Sequence, residues 1–388
     1  MSATAILRNA KLIETGNLQK QDLFIKDGLI NSIYPSSEKI RFDCDCPSYD
    51  LEGKYLFPGI FESHLHGSAG IDFNQIDLER LDQISIYLAG HGVTSFFVSI
   101  VSEEEEKLFE LLRFYARAAE KYLPGARLAG IHLEGPWISP RRSGAISTAN
   151  LKTARPETLD RYQQAADGRI RYITVAPEVE GALDLIEKAD AEGIVVGIGH
   201  TEADYDQGRE AIARGAKLAT HFGNAMPWPH QRQPGIVGAL LESGLQLELI
   251  FDGVHVHPVN LRLIAQLVSL DRIIGITDAT MARGLPDGDY TLGDMAIRVD
   301  KGISYLSDSE VLAGSTLDPI HAVHNAAKIL DAEIRDVYPL FSSNPASLFS
   351  LNTGEIHTGK KADLLALNQN FKLCDTWVAG RHVFSAML

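Results

Sequence analysis

Between residues 56 and 280 the chain alternates eight short apolar or β-branched runs with longer amphipathic stretches, and few folds accommodate such a pattern. The runs are 56–66, 93–100, 127–135, 170–178, 193–200, 216–222, 245–255 and 272–279. The stretches between them, among them "EEEEKLFELLRFYARAAEKY" and "EADYDQGREAIARGA", carry apolar residues three or four apart with charges between. That is the pattern of a helix with one buried face. Eight strands joined by helices predict an α/β fold, a (β/α)8 TIM-type barrel.

The ends of the chain follow another rule. Residues 4–34 and 354–384 alternate apolar and polar positions, and the first of these segments has turn signals at Gly16-Asn17 and Asp27-Gly28. Short antiparallel strands read this way. The expected arrangement is a small β-sandwich domain formed by both termini, residues 1–55 and 355–388, with the barrel inserted as residues 56–354. Asp-Gly and Lys-Gly turns within 285–316 predict a hairpin excursion between the last barrel strand and the last helix.

Where the polar residues fall in the runs bears on function. Six of the eight end on a residue able to bind a metal: "FESHLH", "AGIHLEG", "VVGIGH", "KLATH", "ELIFDGVH" and "IIGITDAT". These endings bring His64 and His66, Glu134, His200, His221, His255 and Asp278. Taken alone, His64-Leu65-His66 is ambiguous. Residues i and i+2 of a strand share a face about 7 Å apart, which suits two ligands of one cation and a solvated sheet face equally well. In a β/α barrel, however, all the C-terminal strand ends meet at one mouth, where such enzymes keep their chemistry. That convergence favours a metal site.

Imidazoles and a carboxylate form the ligand set of zinc and of divalent iron, cobalt or manganese, each able to lower the pKa of a bound water. One or two divalent ions are expected. Asp278, ending the last strand, is the candidate to take up a proton and pass it to a leaving amine. Its alternative is an N-cap or turn role before "ATMARG".

Composition narrows the partners. A net charge of −15, from 36 basic and 51 acidic residues, argues against nucleic acid and anionic membranes and leaves room for a small anion in a locally basic pocket. The N-terminus has no apolar core of signal-peptide length, and no run of about 18 apolar residues could span a bilayer. A cytoplasmic location is expected.

Several segments, in order along nearly the whole chain, resemble one family of the amidohydrolase superfamily, the N-acetylglucosamine-6-phosphate deacetylases. They include "PGIFESHLHGSAGIDF", "GIHLEGPWISPRRSGA", "GIGHTEADYDQ", "THFGNAMPWPHQRQPGIVGA", "FDGVHVHP" and "TDATMARGLPDGDY". The resemblance implies that Glu134, His200 and His221 hold a principal metal and that His64 and His66 complete a second site bridged by Glu134. It implies too that Asn224 and Ala225 cradle the phosphate of an amino-sugar phosphate and that Arg232 and His255 bind it through their side chains. In this family some phosphate contacts come from a neighbouring subunit, which implies a homodimer.

One departure stands out. Twelve residues after the metal-binding Glu, relatives usually carry a histidine thought to polarise the acetyl carbonyl, and here that position is Ile146. Isoleucine offers neither a donor nor a charge. A second metal at His64 and His66 could take over, or the substrate could be another N-acetylhexosamine 6-phosphate such as the galactosamine epimer. Two rival readings remain: an amidohydrolase acting on an N-acyl amino acid or cyclic amide, and a metal-free barrel kept as a binding protein. Arg232 and the Asn-Ala-Met-Pro segment speak against the first. The second should have lost one of Glu134, His200, His221 and Asp278, and all four are present.

Overall fold

The structure, a computed structural model, describes residues 3–13, 19–38, 40 and 45–386. The predicted turn at Gly16-Asn17 lies outside them. Eight parallel strands form the central sheet in the order of the chain: β1 (Ile60–Glu62), β2 (Val93–Val101), β3 (Arg127–Glu134), β4 (Ile170–Val175), β5 (Val195–Ile198), β6 (Leu218–Ala219), β7 (Gln246–Ile250) and β8 (Ile273–Ile276). They roll into the expected (β/α)8 barrel. Its seam is closed just past the strand ends, where Asp278 N donates to His64 O at 3.0 Å and His66 N to Ala279 O at 2.7 Å.

The strands form because they can be buried on both faces. Every residue of β2, VTSFFVSIV, is buried, as a parallel strand sandwiched between barrel interior and helix layer requires. Helix Glu105–Ala119 supplies part of that layer, burying Leu108, Leu111, Leu112, Tyr115, Ala116 and Ala118 from one stripe. Helix Tyr205–Ala213 begins at a reciprocal cap between Asp204 and Gln207, which satisfies N–H groups the first turn would leave orphaned.

Several boundaries differ from expectation. The run predicted as 56–66 divides at Gly59. Tyr55–Pro58 pairs with Leu364–Leu367 in the terminal sheet, and only Ile60–Glu62 joins the barrel. A Cβ at Gly59 would lie 2.0 Å from Thr94 Oγ1, so the chain passes too close to β2 there for any side chain. The run predicted to end at His255 stops as a strand at Ile250, leaving His255 in the following loop. The excursion is a three-stranded antiparallel sheet, Gly288–Leu292, Met295–Asp300 and Ile303–Leu306, rather than a hairpin.

The termini form the separate small sheet domain. Strands Ala5–Leu12, Lys20–Lys26, Leu29–Pro35, Ser48–Asp50 and Tyr55–Pro58 join Leu364–Leu367, Leu373–Val378 and Arg381–Ser385 in one branched sheet. Its core of Leu7, Leu23, Ile25, Ile30, Leu56, Leu364 and Trp377 is separate from the barrel's.

Candidate functional site

The alternation of side chains along each strand decides what reaches the mouth. On β3, Gly130, His132 and Glu134 share the inward face, and on β2 Phe97 and Ser99 do. The barrel is therefore filled in levels. Phe61 and Phe97, with Phe349, close the floor, their ring centroids 4.8–5.9 Å apart. A buried polar level lies above. His132 spans Ser99 Oγ and Thr174 Oγ1, each at 2.9 Å, while its ring stacks on Tyr172 at 3.7 Å. Glu248 Oε2, on β7, lies 3.0 Å from His64 Nδ1, and it accepts from Tyr172 OH at 3.2 Å and from His221 N at 3.2 Å.

Glu134 stands at the top, at the centre of the mouth. Its Oε1 lies 3.1 Å from His200 Nε2, 3.0 Å from His221 Nε2 and 3.5 Å from His64 Nε2, and its Oε2 lies 3.1 Å from His66 Nε2. Asp278 Oδ1 approaches His66 Nε2 at 3.2 Å and His64 Nε2 at 3.5 Å. All six residues are buried. Three of them, His200, His221 and Asp278, have left-handed backbone at φ 49°, 28° and 52°. Such non-glycine strain costs on the order of 1–3 kcal/mol per residue and persists where the surroundings over-determine it.

The donor set fits a divalent cation. His64 Nε2 is buried without a hydrogen-bond partner, and the Nε2 atoms of His200 and His221 face one another at 3.0 Å. Two groups, His64-His66-Glu134 and Glu134-His200-His221, converge within ligand distance and share the carboxylate. Three of the four outer nitrogens are occupied as ligating imidazoles need, His200 Nδ1 at 2.7 Å from Arg142 O, His66 Nδ1 at 3.2 Å from Ser99 O and His64 Nδ1 on Glu248, while His221 Nδ1 is buried without a partner.

Electrostatics point the same way. Burial would depress His64 and His66, but the surrounding carboxylates outweigh it, raising His64 well above its usual value and His66 to about 9. Burial would push Glu134 up, yet His64 and the bonds from His200 and His221 hold it well below the usual carboxylate range. Asp278 is likewise lowered: burial opposes, and the charge of His64 with the bond to His66 prevails.

A cavity of about 460 Å³ opens over this cluster, lined by His66, Glu134, His200, His221 and Asp278 and, further out, by Asn224, Ala225 and His255. Ile146, Leu292 and Leu312 form an apolar wall to it, and Arg141 and Arg142 stand at its edge. Ala225 has left-handed backbone at φ 50°. His255 is half-buried as a residue, with Nδ1 2.6 Å from Asp252 Oδ2, and although burial would lower its pKa, Asp252 raises it. Arg232 is not gathered in: it sits exposed outside the lining.

The sequence reading missed Glu248, His132, Tyr172 and Asp252. Two signals were available. His132 precedes Glu134 by two and so shares its face, and Glu248 is a carboxylate inside the apolar run "LQLELI".

The amidohydrolase family pattern matches residues 55–383. N-acetylglucosamine-6-phosphate deacetylase of Vibrio furnissii is 37% identical over 334 residues, covering 85% of this chain and 83% of that protein. N-acetylgalactosamine-6-phosphate deacetylase of Escherichia coli O157:H7 is 31% identical over 382 residues, 97% of this chain and 99% of that one. Among solved structures, a mutant N-acetyl-D-glucosamine-6-phosphate deacetylase from Mycobacterium smegmatis, in complex with N-acetyl-D-glucosamine-6-phosphate, superposes with a TM-score of 0.87. It is 30% identical, and the match covers 99% of this chain and 100% of that chain.

Proposed function

This chain belongs to the amidohydrolase family, and we propose that its site hydrolyses the N-acetyl group of N-acetyl-D-glucosamine 6-phosphate, giving the amino-sugar phosphate and acetate. The observation that carries the reading is Glu134 standing between two histidine pairs with Asp278 at their rim. Glu134, His200 and His221 would hold one divalent cation, zinc or else iron, cobalt or manganese. His64 and His66 would complete a second site across the same carboxylate. When bound, the cation acts as a Lewis acid that acidifies an attacking water and polarises the acyl carbonyl.

The chain's own groups do the rest. Asp278, at the rim of the cluster beside His64 and His66, takes the proton of the attacking water and returns it to the departing amine. His255, its pKa raised by Asp252, and the Asn224-Ala225 turn face the cavity where a phosphate would be held. The six residues of the cluster are themselves buried, which strengthens the contacts among them. Ile146 leaves the carbonyl without a side-chain donor, so its activation falls to the His64-His66 side of the site.

Arg232 is read as reaching the site of a second copy. It lies outside its own cavity, and helix Pro258–Leu267 nearby in the chain exposes Val259, Leu263 and Leu267 at 44%, 52% and 68% on one face. A homodimer would cover that stripe. No helix among the described residues is long and apolar enough to cross a membrane, in keeping with a cytoplasmic enzyme.

The relative acting on N-acetylgalactosamine 6-phosphate and the exchange at Ile146 favour one second reading, the galactosamine epimer as substrate. Metal analysis with deacetylation assays on glucosamine, galactosamine and mannosamine forms, each with and without phosphate, separates the two. A metal-free protein of full activity would refute the mechanism. Preference for an unphosphorylated N-acyl compound would refute the substrate.

A further inference from the structure

A second cavity, of about 470 Å³, lies at the opposite end of the barrel, between its base and the terminal sheet. Lys121, Arg127, Arg169, Lys361 and Arg381 line it, against one carboxylate, Glu120. Arg127 opens β3 while Glu134 closes it, so the cavity is separated from the catalytic mouth by about the length of that strand, roughly 20 Å. In a chain of net charge −15, five cations around one hollow are not what composition dictates.

Few of these charges are answered by the protein. Arg127 is paired, its NH2 3.0 Å from buried Asp363 Oδ2. Arg381 donates one NH2 to Leu123 O at 3.0 Å and lies over the Tyr122 ring at 4.0 Å, but its Nε is buried with no partner. The side chains of Arg169 and Lys361 have no hydrogen bond or ion pair among the described residues. Half-buried Lys361 is destabilised as a cation first by burial and then by Arg127, and Asp363 offsets only part of this. A buried unpaired charge costs several kcal/mol in general, and evolution replaces it cheaply by an apolar residue unless something answers it.

We propose that this basal cavity is a binding site for a phosphate-bearing small molecule. A phosphate dianion offers enough acceptor oxygens to meet the Arg169 fork and the Lys361 ammonium together, both partly exposed on the cavity wall. Leu123, Leu128, Leu351 and Val378 give an apolar side against which the rest of such a molecule packs. The site also spans the two domains. Lys361 and Arg381 come from the terminal sheet region and Arg127 and Arg169 from the barrel, and Ala379 N donates to Asp363 Oδ1 at 2.7 Å beside them. Occupancy therefore ties the terminal sheet to the barrel.

The test uses metal-loaded full-length enzyme, with inorganic phosphate as probe. Calorimetric titration of the native protein should show a binding event that Lys361→Met and Arg169→Met each weaken at least tenfold, with kcat/KM at the mouth within about twofold of native. Lys361→Arg should keep the event. In anion-free buffer Lys361→Met should melt no lower than native, since it removes an unanswered charge, yet it should lose part of the native rise in Tm with phosphate. Phosphate bound at the catalytic mouth contributes equally to all variants, so the difference reads the basal site. Should Lys361→Met fold poorly, Arg169→Met at its half-exposed position still decides the matter. In crystals soaked with tungstate as a phosphate mimic, anomalous density is expected between Arg169, Lys361 and Arg381. Density confined to the catalytic mouth, or variants that titrate like the native protein, would overturn the proposal.

Discussion

Two side chains at the mouth carry opposite lessons. Asp278 is buried and close to both His64 and His66, whose charge holds its carboxyl below the usual range, a role the cation would take over with His64 and His66 as its neutral ligands. A base with a lowered pKa works throughout the neutral range and is lost only as pH falls into the acidic range. Asp278→Asn should therefore keep the fold and most of the metal but lower kcat at least about 10²-fold, the smaller end for general acid–base work. The acidic limb of the pH profile should vanish with it; near-native kcat would put the base elsewhere. Ile146, buried on the cavity wall, is informative for what it lacks. If the His64-His66 half of the site activates the carbonyl in place of a donor there, His64→Gln should be severe. Adding Ile146→His should then restore part of the lost kcat in that background and add little to the native enzyme. Two groups sharing one role are coupled in this way, and simple additivity of the two changes would rule the sharing out.

The strand is the unit that both reveals and conceals the site. β7 places Glu248 under His64, so the carboxylate orients the imidazole without lying at the mouth itself. Glu248→Gln should weaken metal binding on the His64-His66 side by about 10–100-fold, as loss of such a supporting partner does, and the Glu134-His200-His221 side less, since Glu248 meets it only through the His221 backbone N–H. Metal titration by competition with a chelator would read the two sites separately, and equal loss at both would contradict the division. The strand pattern also sets what a sequence reading can see. His64, His66, Glu134, His200, His221 and Asp278 stand out because strand ends in a β/α barrel converge, a rule that needs no knowledge of register. Glu248 and His132 lie inside strands, where the register decides between core and helix layer, and the apolar runs on both faces leave that register unmarked. Arg232 shows what a resemblance adds: it assigns this residue to phosphate, a role the strand pattern does not mark, and within one chain Arg232 is exposed outside the lining of the catalytic cavity. The break at Gly59 escaped because a close approach to Thr94 depends on tertiary packing that no local pattern encodes.

For the molecule as a whole, an acidic protein must bind an anion against its own field, so phosphate recognition has to be local. Within one chain the mouth offers His255 and the edge residues Arg141 and Arg142, with Arg142 already tied to Glu202. If Arg232 completes the site from a second copy, Arg232→Ala should lower kcat/KM for the phosphorylated substrate roughly 10²-fold, about 3 kcal/mol for a charged hydrogen-bonded contact. Turnover of the phosphate-free sugar should hardly change. Dilution of the native enzyme to monomer should mimic the substitution, whereas discrimination that is independent of both concentration and Arg232 would place the phosphate contact within one chain. The terminal sheet has a consequence for how such a chain is made. Tyr55–Pro58 has Ala5–Leu12 on one edge as soon as it is made, but the partner for its other edge, Leu364–Leu367, follows some three hundred residues later. Until then one edge of that strand is open to other chains. The barrel seam, completed by Asp278 and Ala279, closes earlier in synthesis than the sheet does. Nascent chains arrested after residue 353 should thus resist protease across the barrel while their first 58 residues are cut, and release of the last 35 residues should be the event that protects them.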